Sequence, residues 1–319
     1  MAGTFGRRMI GKRSCATVRA PFPGAGKDDH ATAMNGCRAF YSGCFCKRMG
    51  SPLLLAVIHV AAFWPVWKWL YWRLTVCPNE SYELLPLAAV PTLFLFRLQR
   101  QGWRVAPVMG NKLWLGALCF TLLYCAAYPY LPDLFRSALA FSALAFALSA
   151  LLGGKPDFGL WGLLLLTLQL HNGLQFYLGY PLRAGIAAIA APLLRVTGFS
   201  AVAEGACLNW DGRLVLIDAP CSGVKMLWAG LFLVFVLLSA QRLSWRRTVV
   251  LPAGAAAFVL AANLLRATSL FYLESGILDV PAFFHVLTGI VSFAFACAGI
   301  LWLAERLKRR ETCGLHGSS

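Results

Sequence analysis

Charge is the scarcest property of this chain. Only 13% of its 319 residues are charged, while 59% are hydrophobic. A soluble domain carries about 25% charged residues, so a water-facing globular surface is excluded. Acidic residues are rarer still, 13 Asp and Glu against 29 Lys and Arg. The eleven cysteines include no C-x-x-C pair and no Cys/His spacing of a zinc site, which leaves no disulfide framework, metal site or cofactor to read. No G-x-S-x-G elbow occurs, and this removes the usual serine nucleophile motif. The first fifty residues lack the apolar centre of a cleavable signal peptide.

Long apolar runs are what the chain has in abundance. Stretches near 20 residues recur from Leu53 onward, each able to cross a hydrocarbon core of roughly 30 Å. Lipid offers no hydrogen bonds, so only helices or a closed barrel can span it. The runs are continuous and not alternating, which favours helices. The expected fold is all-α: a polytopic transmembrane bundle of about eight spans over 53–72, 82–96, 113–130, 134–152, 158–176, 222–240, 248–273 and 283–304. The second is short and contains Pro86 and Pro91.

Residues 1–50 carry nine Lys and Arg and no long apolar run, and read as a disordered cytoplasmic tail. Met49, directly before the first apolar segment, is an alternative start of translation. The membrane domain occupies 51–311, and 312–319 form a short tail. Between the fifth and sixth spans lies the longest connection, about 177–220. Its part from Leu182 to Leu194 suits an interfacial helix. Ala201 to Ile217 suits a small external β-hairpin, because two β-prone runs flank Asn209-Trp210-Asp211-Gly212 and Asp-Gly is a strong turn signal.

The basic residues sit at segment ends, which points to a bilayer and not to nucleic acid. With the N-terminus in the cytoplasm, that side receives 21 of the 29 Lys and Arg. The positive-inside rule therefore places both termini in the cytoplasm and the 177–220 connection outside.

Three places could carry chemistry. Cys221 follows Pro220 near the expected N-terminus of the sixth span, where a helix dipole and free N–H groups favour a thiolate. Lys225, four residues on, shares that face and could lower the thiol pKa further. A buried inert thiol with a snorkelling Lys is the plain alternative. Asn263 and Arg266 are three apart inside the seventh span, and a guanidinium there costs about 2.5–3.5 kcal/mol on insertion scales. Such a residue marks function more often than not, although a structural pair or a snorkelling Arg would also serve. His285 opens the eighth span, with Gly289 one turn deeper on the same face for close helix approach. Taken together they supply a thiolate, an acid–base imidazole and a cation or donor for an oxyanion, the parts of acyl transfer.

At these residues the chain resembles the exosortase/archaeosortase family of membrane cysteine transpeptidases. The motifs stand as Cys221-Ser222-Gly223, Asn263-Leu-Leu-Arg266 and His285, in the family's order. The resemblance implies that Cys221 attacks a peptide carbonyl, His285 acts as base and then acid, and Arg266 stabilises the negative charge. It also implies membrane-anchored protein substrates bearing a C-terminal sorting tail: a Pro-Glu-Pro-type motif, a transmembrane helix and a basic end. Bacterial members are often tied to exopolysaccharide production. The implied location is the bacterial inner membrane with the site on the periplasmic side. Two other classes stay open: a transporter built around intramembrane Arg and His, and a thiol oxidoreductase pairing Cys207 with Cys221.

Overall fold

The computed structural model describes residues 53–76, 82, 84–106, 111–168, 170–217, 222–241, 245–275, 281 and 283–316. The basic segment 1–50 with Met49, the tail residues 317–319, and Pro220 and Cys221 lie outside them. Ten helices and three strands occur among the described residues. They are α1 (Leu53–Ala62) and α2 (Trp64–Val76), then α3 (Leu85–Arg100), α4 (Lys112–Ala127), α5 (Asp133–Leu151), α6 (Phe158–Leu166) and α7 (His171–Val196). The strands β1 (Val202–Glu204), β2 (Cys207–Trp210) and β3 (Arg213–Leu216) precede α8 (Val224–Gln241), α9 (Trp245–Glu274) and α10 (Phe283–His316).

Five helices among the described residues are long and apolar enough to cross a membrane, and six if α1 and α2 count as one span bent by 58°. The expected eight is not reached. A 16-residue helix such as α3 or α4 rises only about 24 Å, short of a full hydrocarbon core. The expected span over 158–176 breaks after nine helical residues of α6, and a new helix starts at His171. The α1–α2 bend falls at Phe63, one residue before the helix that carries Pro65, and proline cannot donate the backbone bond that would continue a straight helix. Phe63 is buried there, edge-on to Tyr124 with ring centroids 5.1 Å apart.

A buried ion pair ties α3 to the start of α6. Arg97 pairs with Asp157, and both side chains are less than a tenth exposed. Ser239 of α8 joins them, accepting from Arg97 Nη1 at 3.3 Å and donating to Asp157 Oδ2 at 3.1 Å. The other oxygen of Asp157 caps α6 by accepting from the Gly159 and Leu160 N–H groups. The expected second span ends at 96, just before Arg97; the helix α3 continues past it to Arg100, so Arg97 lies in its last turn. Glycine makes the cluster possible, since a Cβ on Gly159 would collide with the backbone of Ser239 and Phe235.

This cluster marks one end of the bundle. The α6 N-terminus and the α8 C-terminus meet there, as do Arg247 of α9 and Leu307 of α10, which share a hydrogen bond of 2.5 Å. The starts of α8 and α10 and the last turns of α9 therefore lie at the opposite end.

At that opposite end stands a three-stranded antiparallel sheet in the order β1-β2-β3, one strand more than the expected hairpin. The predicted turn is present: Trp210 pairs with Arg213, and Asp211 and Gly212 both have positive φ, 50° and 76°, as a type I′ turn requires. A second two-residue connection at Gly205-Ala206 adds β1, pairing Glu204 with Cys207.

The helix α7 covers 177–196, which was expected as connection with an interfacial helix. Its residues Gly173–Val196 are apolar and long enough to cross a membrane. Its contacts, however, keep both of its ends at the sheet end of the bundle. Gln175 meets Ser222 before α8, and Thr197 meets Tyr272 near the end of α9 at 2.7 Å. Between them Ile186, Ala190 and Leu194 pack with Leu208 of β2, with Ile217 just past β3, and with Leu270 and Phe271 of α9.

Removing one partner of a buried pair leaves an uncompensated charge, at a cost of about 3–5 kcal/mol. Arg97→Met is expected to lower the thermal unfolding midpoint of the detergent-purified protein sharply. The double variant Arg97→Met/Asp157→Asn should recover part of that loss, because Asn can still cap α6. A single variant as stable as the wild type would contradict the pair's role.

Candidate active site

The chain enters α8 through Ser222 and Gly223. Gly223 has φ +78°, and a Cβ there would stand 3.0 Å from Asn263 Nδ2 and 3.1 Å from its Cγ. Both the backbone conformation and the space call for glycine. Ser222 is buried; its hydroxyl donates to Gln175 Oε1 at 2.9 Å and accepts from the Val224 N–H at 3.4 Å. The hydroxyl thus satisfies a backbone donor that a helix start leaves without an intrahelical partner. Leu227 N donates to the Gly223 carbonyl at 2.8 Å, which starts the helical ladder. Lys225 is exposed in the first turn.

Asn263 comes from the middle of α9 and is fully buried against Gly223. Arg266, one turn further along the same face, is half-buried. Its guanidinium lies on Gly289 of α10: a Cβ at that glycine would be 3.6 Å from Arg266 Cζ and 3.7 Å from Nε and Nη2. His285, also half-buried, lies one turn before Gly289 on the same face of α10. Thr288 Oγ1 donates to the His285 carbonyl at 2.9 Å, inside that same first turn.

Residues from three helices therefore form one connected line. Gly223 touches Asn263, Arg266 stands a turn from Asn263, Gly289 touches Arg266, and His285 stands a turn from Gly289. All lie at the sheet end of the bundle. Cys221 directly precedes Ser222 in the chain and lies outside the described residues. Among the described residues no group of three or more His, Cys, Asp or Glu could hold a metal ion.

The chemistry available along this line is cationic and protic. Arg266 offers fixed donors, His285 can carry a proton, and Asn263 adds an amide in a fully buried position. Asn263, removed from water, acts more strongly on a nearby charge than an amide in bulk solvent would.

Sequence reading overlooked Gln175. It was placed inside an expected span and given no partner. Its signal was faint: one amide among several polar residues, with Gln169, His171 and Asn172 close before it. His171 is itself buried, with the Tyr82 ring 6.4 Å away, and Tyr82 stands edge-on to Trp228 of α8 at 5.2 Å. These rings form the wall behind the start of α8.

Fold and site together define a multi-pass helical membrane protein with polar and ionisable side chains of three helices gathered at one end. The family model for transmembrane exosortases matches residues 69–302, nearly three quarters of the chain, and the chain belongs to that family. The matched segment contains Gly223, Asn263, Arg266, His285 and Gly289. No curated protein matches the chain, and no solved structure does.

The two glycines of the site predict different tolerances. Gly223→Ala forces a Cβ into a left-handed conformation, at about 1–2 kcal/mol, and also against Asn263. Gly289→Ala meets Arg266 only at ordinary contact distance. The unfolding midpoint of the purified protein should fall for Gly223→Ala and stay close to wild type for Gly289→Ala. The reverse order would contradict these contacts.

Proposed function

We propose that this exosortase-family protein is a cysteine transpeptidase or endopeptidase that processes C-terminal sorting signals of exported, membrane-anchored proteins. The observation that carries the reading is the meeting of Gly223 with Asn263 and of Arg266 with Gly289, which links the C-S-G, N-x-x-R and His segments at one end of the bundle.

In this reading Cys221 is the nucleophile. Its thiol proton passes to His285, and Sγ bonds to the scissile carbonyl carbon. Arg266 stabilises the negative charge on the carbonyl oxygen. The C–N bond then breaks, and His285 returns the proton to the leaving amine. The acyl group remains on Cys221 as a thioester until water or an acceptor amine releases it. Asn263, Gly223 and Gly289 support the site by holding the three helices together. Lys225, exposed in the first turn of α8 and four residues after Cys221 in sequence, adds positive potential at the start of that helix; with α8 beginning at Val224 after Gly223 at φ +78°, the two do not share a helical face as the spacing alone suggested.

The substrate's transmembrane tail would dock sideways from the bilayer, holding its motif beside the site. Binding in the membrane plane also removes positional freedom before reaction. In this reading the site end faces the periplasm and both termini lie in the cytoplasm of a bacterial inner-membrane protein, an orientation that the bias of Lys and Arg supports.

The test is co-expression with a tagged substrate bearing a Pro-Glu-Pro-type tail. Wild type should shorten the substrate, and Cys221→Ala, Arg266→Ala and His285→Ala should not. Equal processing by all four would remove the proposal. Impermeant thiol reagents should reach Cys221 from the periplasmic side; labelling from the cytoplasm alone would overturn the orientation.

A further inference from the structure

One face of α7 carries Gln175, Gly179 and Arg183 at four-residue spacing, a single stripe along the helix. Gln175 Oε1 accepts from the buried Ser222 hydroxyl at 2.9 Å. Arg183 Nη1 donates to the Ile217 carbonyl at 3.5 Å, while its Nε donates to the Gly179 carbonyl of the preceding turn at 3.2 Å. Gly179 itself is buried, and a Cβ there would press on the Gln175 amide, 3.0 Å from Nε2. A mid-helix glycine costs about 1 kcal/mol relative to alanine. Here it leaves room for the amide to turn toward Ser222.

Ile217 and Ser222 are the residues on either side of the tetrapeptide Asp218-Ala-Pro-Cys221. Ile217 is held a second time, by its N–H bond to the Ala206 carbonyl at 3.0 Å. Ser222 is held a second time through the Val224 N–H. One helix stripe thus grips the chain on both flanks of the cysteine-bearing segment. None of these α7 residues belongs to the C-S-G, N-x-x-R or His motifs.

We propose that Gln175, with Gly179 and Arg183 behind it, is a positioning residue of the site: through Ser222, which directly follows Cys221 in the chain, α7 fixes the start of α8. The inference rests on the reading of Cys221 as nucleophile. Its physical basis is the steep dependence of reaction rate on geometry, because misplacement by about 1 Å costs on the order of 100-fold. Gln175 acts through Ser222 and does not touch the reacting atoms.

The experiment uses the full-length protein purified in detergent with a peptide carrying the sorting motif and its transmembrane helix. Gln175→Leu removes the acceptor and is expected to lower kcat about 10- to 100-fold with KM within about twofold. Gln175→Glu keeps an acceptor for the Ser222 hydroxyl and is expected to restore most of kcat. The pair Gln175→Leu and Ser222→Ala should be non-additive, the double variant no slower than the slower single, because both break one hydrogen bond. Each variant is also followed by its unfolding midpoint. Wild-type kcat in Gln175→Leu, failure of Gln175→Glu to rescue, strict additivity, or a kcat loss that merely tracks a fallen midpoint would each overturn the proposal. Cys221→Ala separates the two ideas. If that variant still cleaves, the nucleophile reading fails and takes the positioning role with it. If it is inactive while Gln175→Leu is normal, only the positioning role fails.

Discussion

The close approach of α8, α9 and α10 is the constraint on which the site end depends. In lipid there is no hydrophobic force to push helices together, so packing contacts and polar bridges must hold them. Glycine provides the contacts here. Gly230 of α8 lies where a Cβ would stand 3.1 Å from Val259 and 3.4 Å from Ile300, so one glycine seats both neighbouring helices. Gly254 receives Leu303, and Gly299 receives the Phe258 ring, each where a Cβ would collide. Gly223 and Gly289 continue this pattern to the sheet end, but there the incoming groups are polar, Asn263 and Arg266. The packing that stabilises the three helices thus also brings Asn263 against Gly223 and Arg266 against Gly289.

Polar groups are buried at both ends of the bundle, with different outcomes. At one end Arg97, Asp157 and Ser239 form a closed cluster in which an acid faces the base. The charges compensate each other, and the free oxygen of Asp157 caps a helix. At the other end Arg266 and His285 are only half-buried, and the guanidinium lies against Gly289 of α10. Burial with compensation suits a structural clasp.

The placement of α7 and the sheet explains how an otherwise apolar chain keeps an ordered polar end. The aromatic cluster of Phe199, Trp210, Phe271 and Tyr272, with ring centroids between 5.3 and 6.1 Å apart, packs the sheet onto α9. Aromatic pairs in edge-to-face geometry contribute beyond their buried area, and these seat the sheet on the end of the helix that carries Asn263 and Arg266.

Much of this was legible from residue order alone. Apolar runs bounded by basic residues determined a helical membrane protein, since lipid leaves the backbone no other way to satisfy its hydrogen bonds. Asp211-Gly212 determined its turn, because few other pairs accept two positive φ angles. Asn263 and Arg266 on α9 and His285 on α10 stood out as polar groups in apolar segments. Other features depended on partners distant in sequence. Arg97 stood just past the expected second span, and its partners Asp157 and Ser239 come from the start of α6 and from α8. The break between α6 and α7 was passed over although Gln169, His171, Asn172 and Gly173 interrupt the apolar run there. Gln175 had no visible role until α7 folded back to bring it beside Ser222, 47 residues later in the chain. Local chemistry decided which segments are helices and which residues are polar among apolar neighbours; only the tertiary structure decided which of them meet, because a contact is set by the close packing of helices and not by the spacing within one.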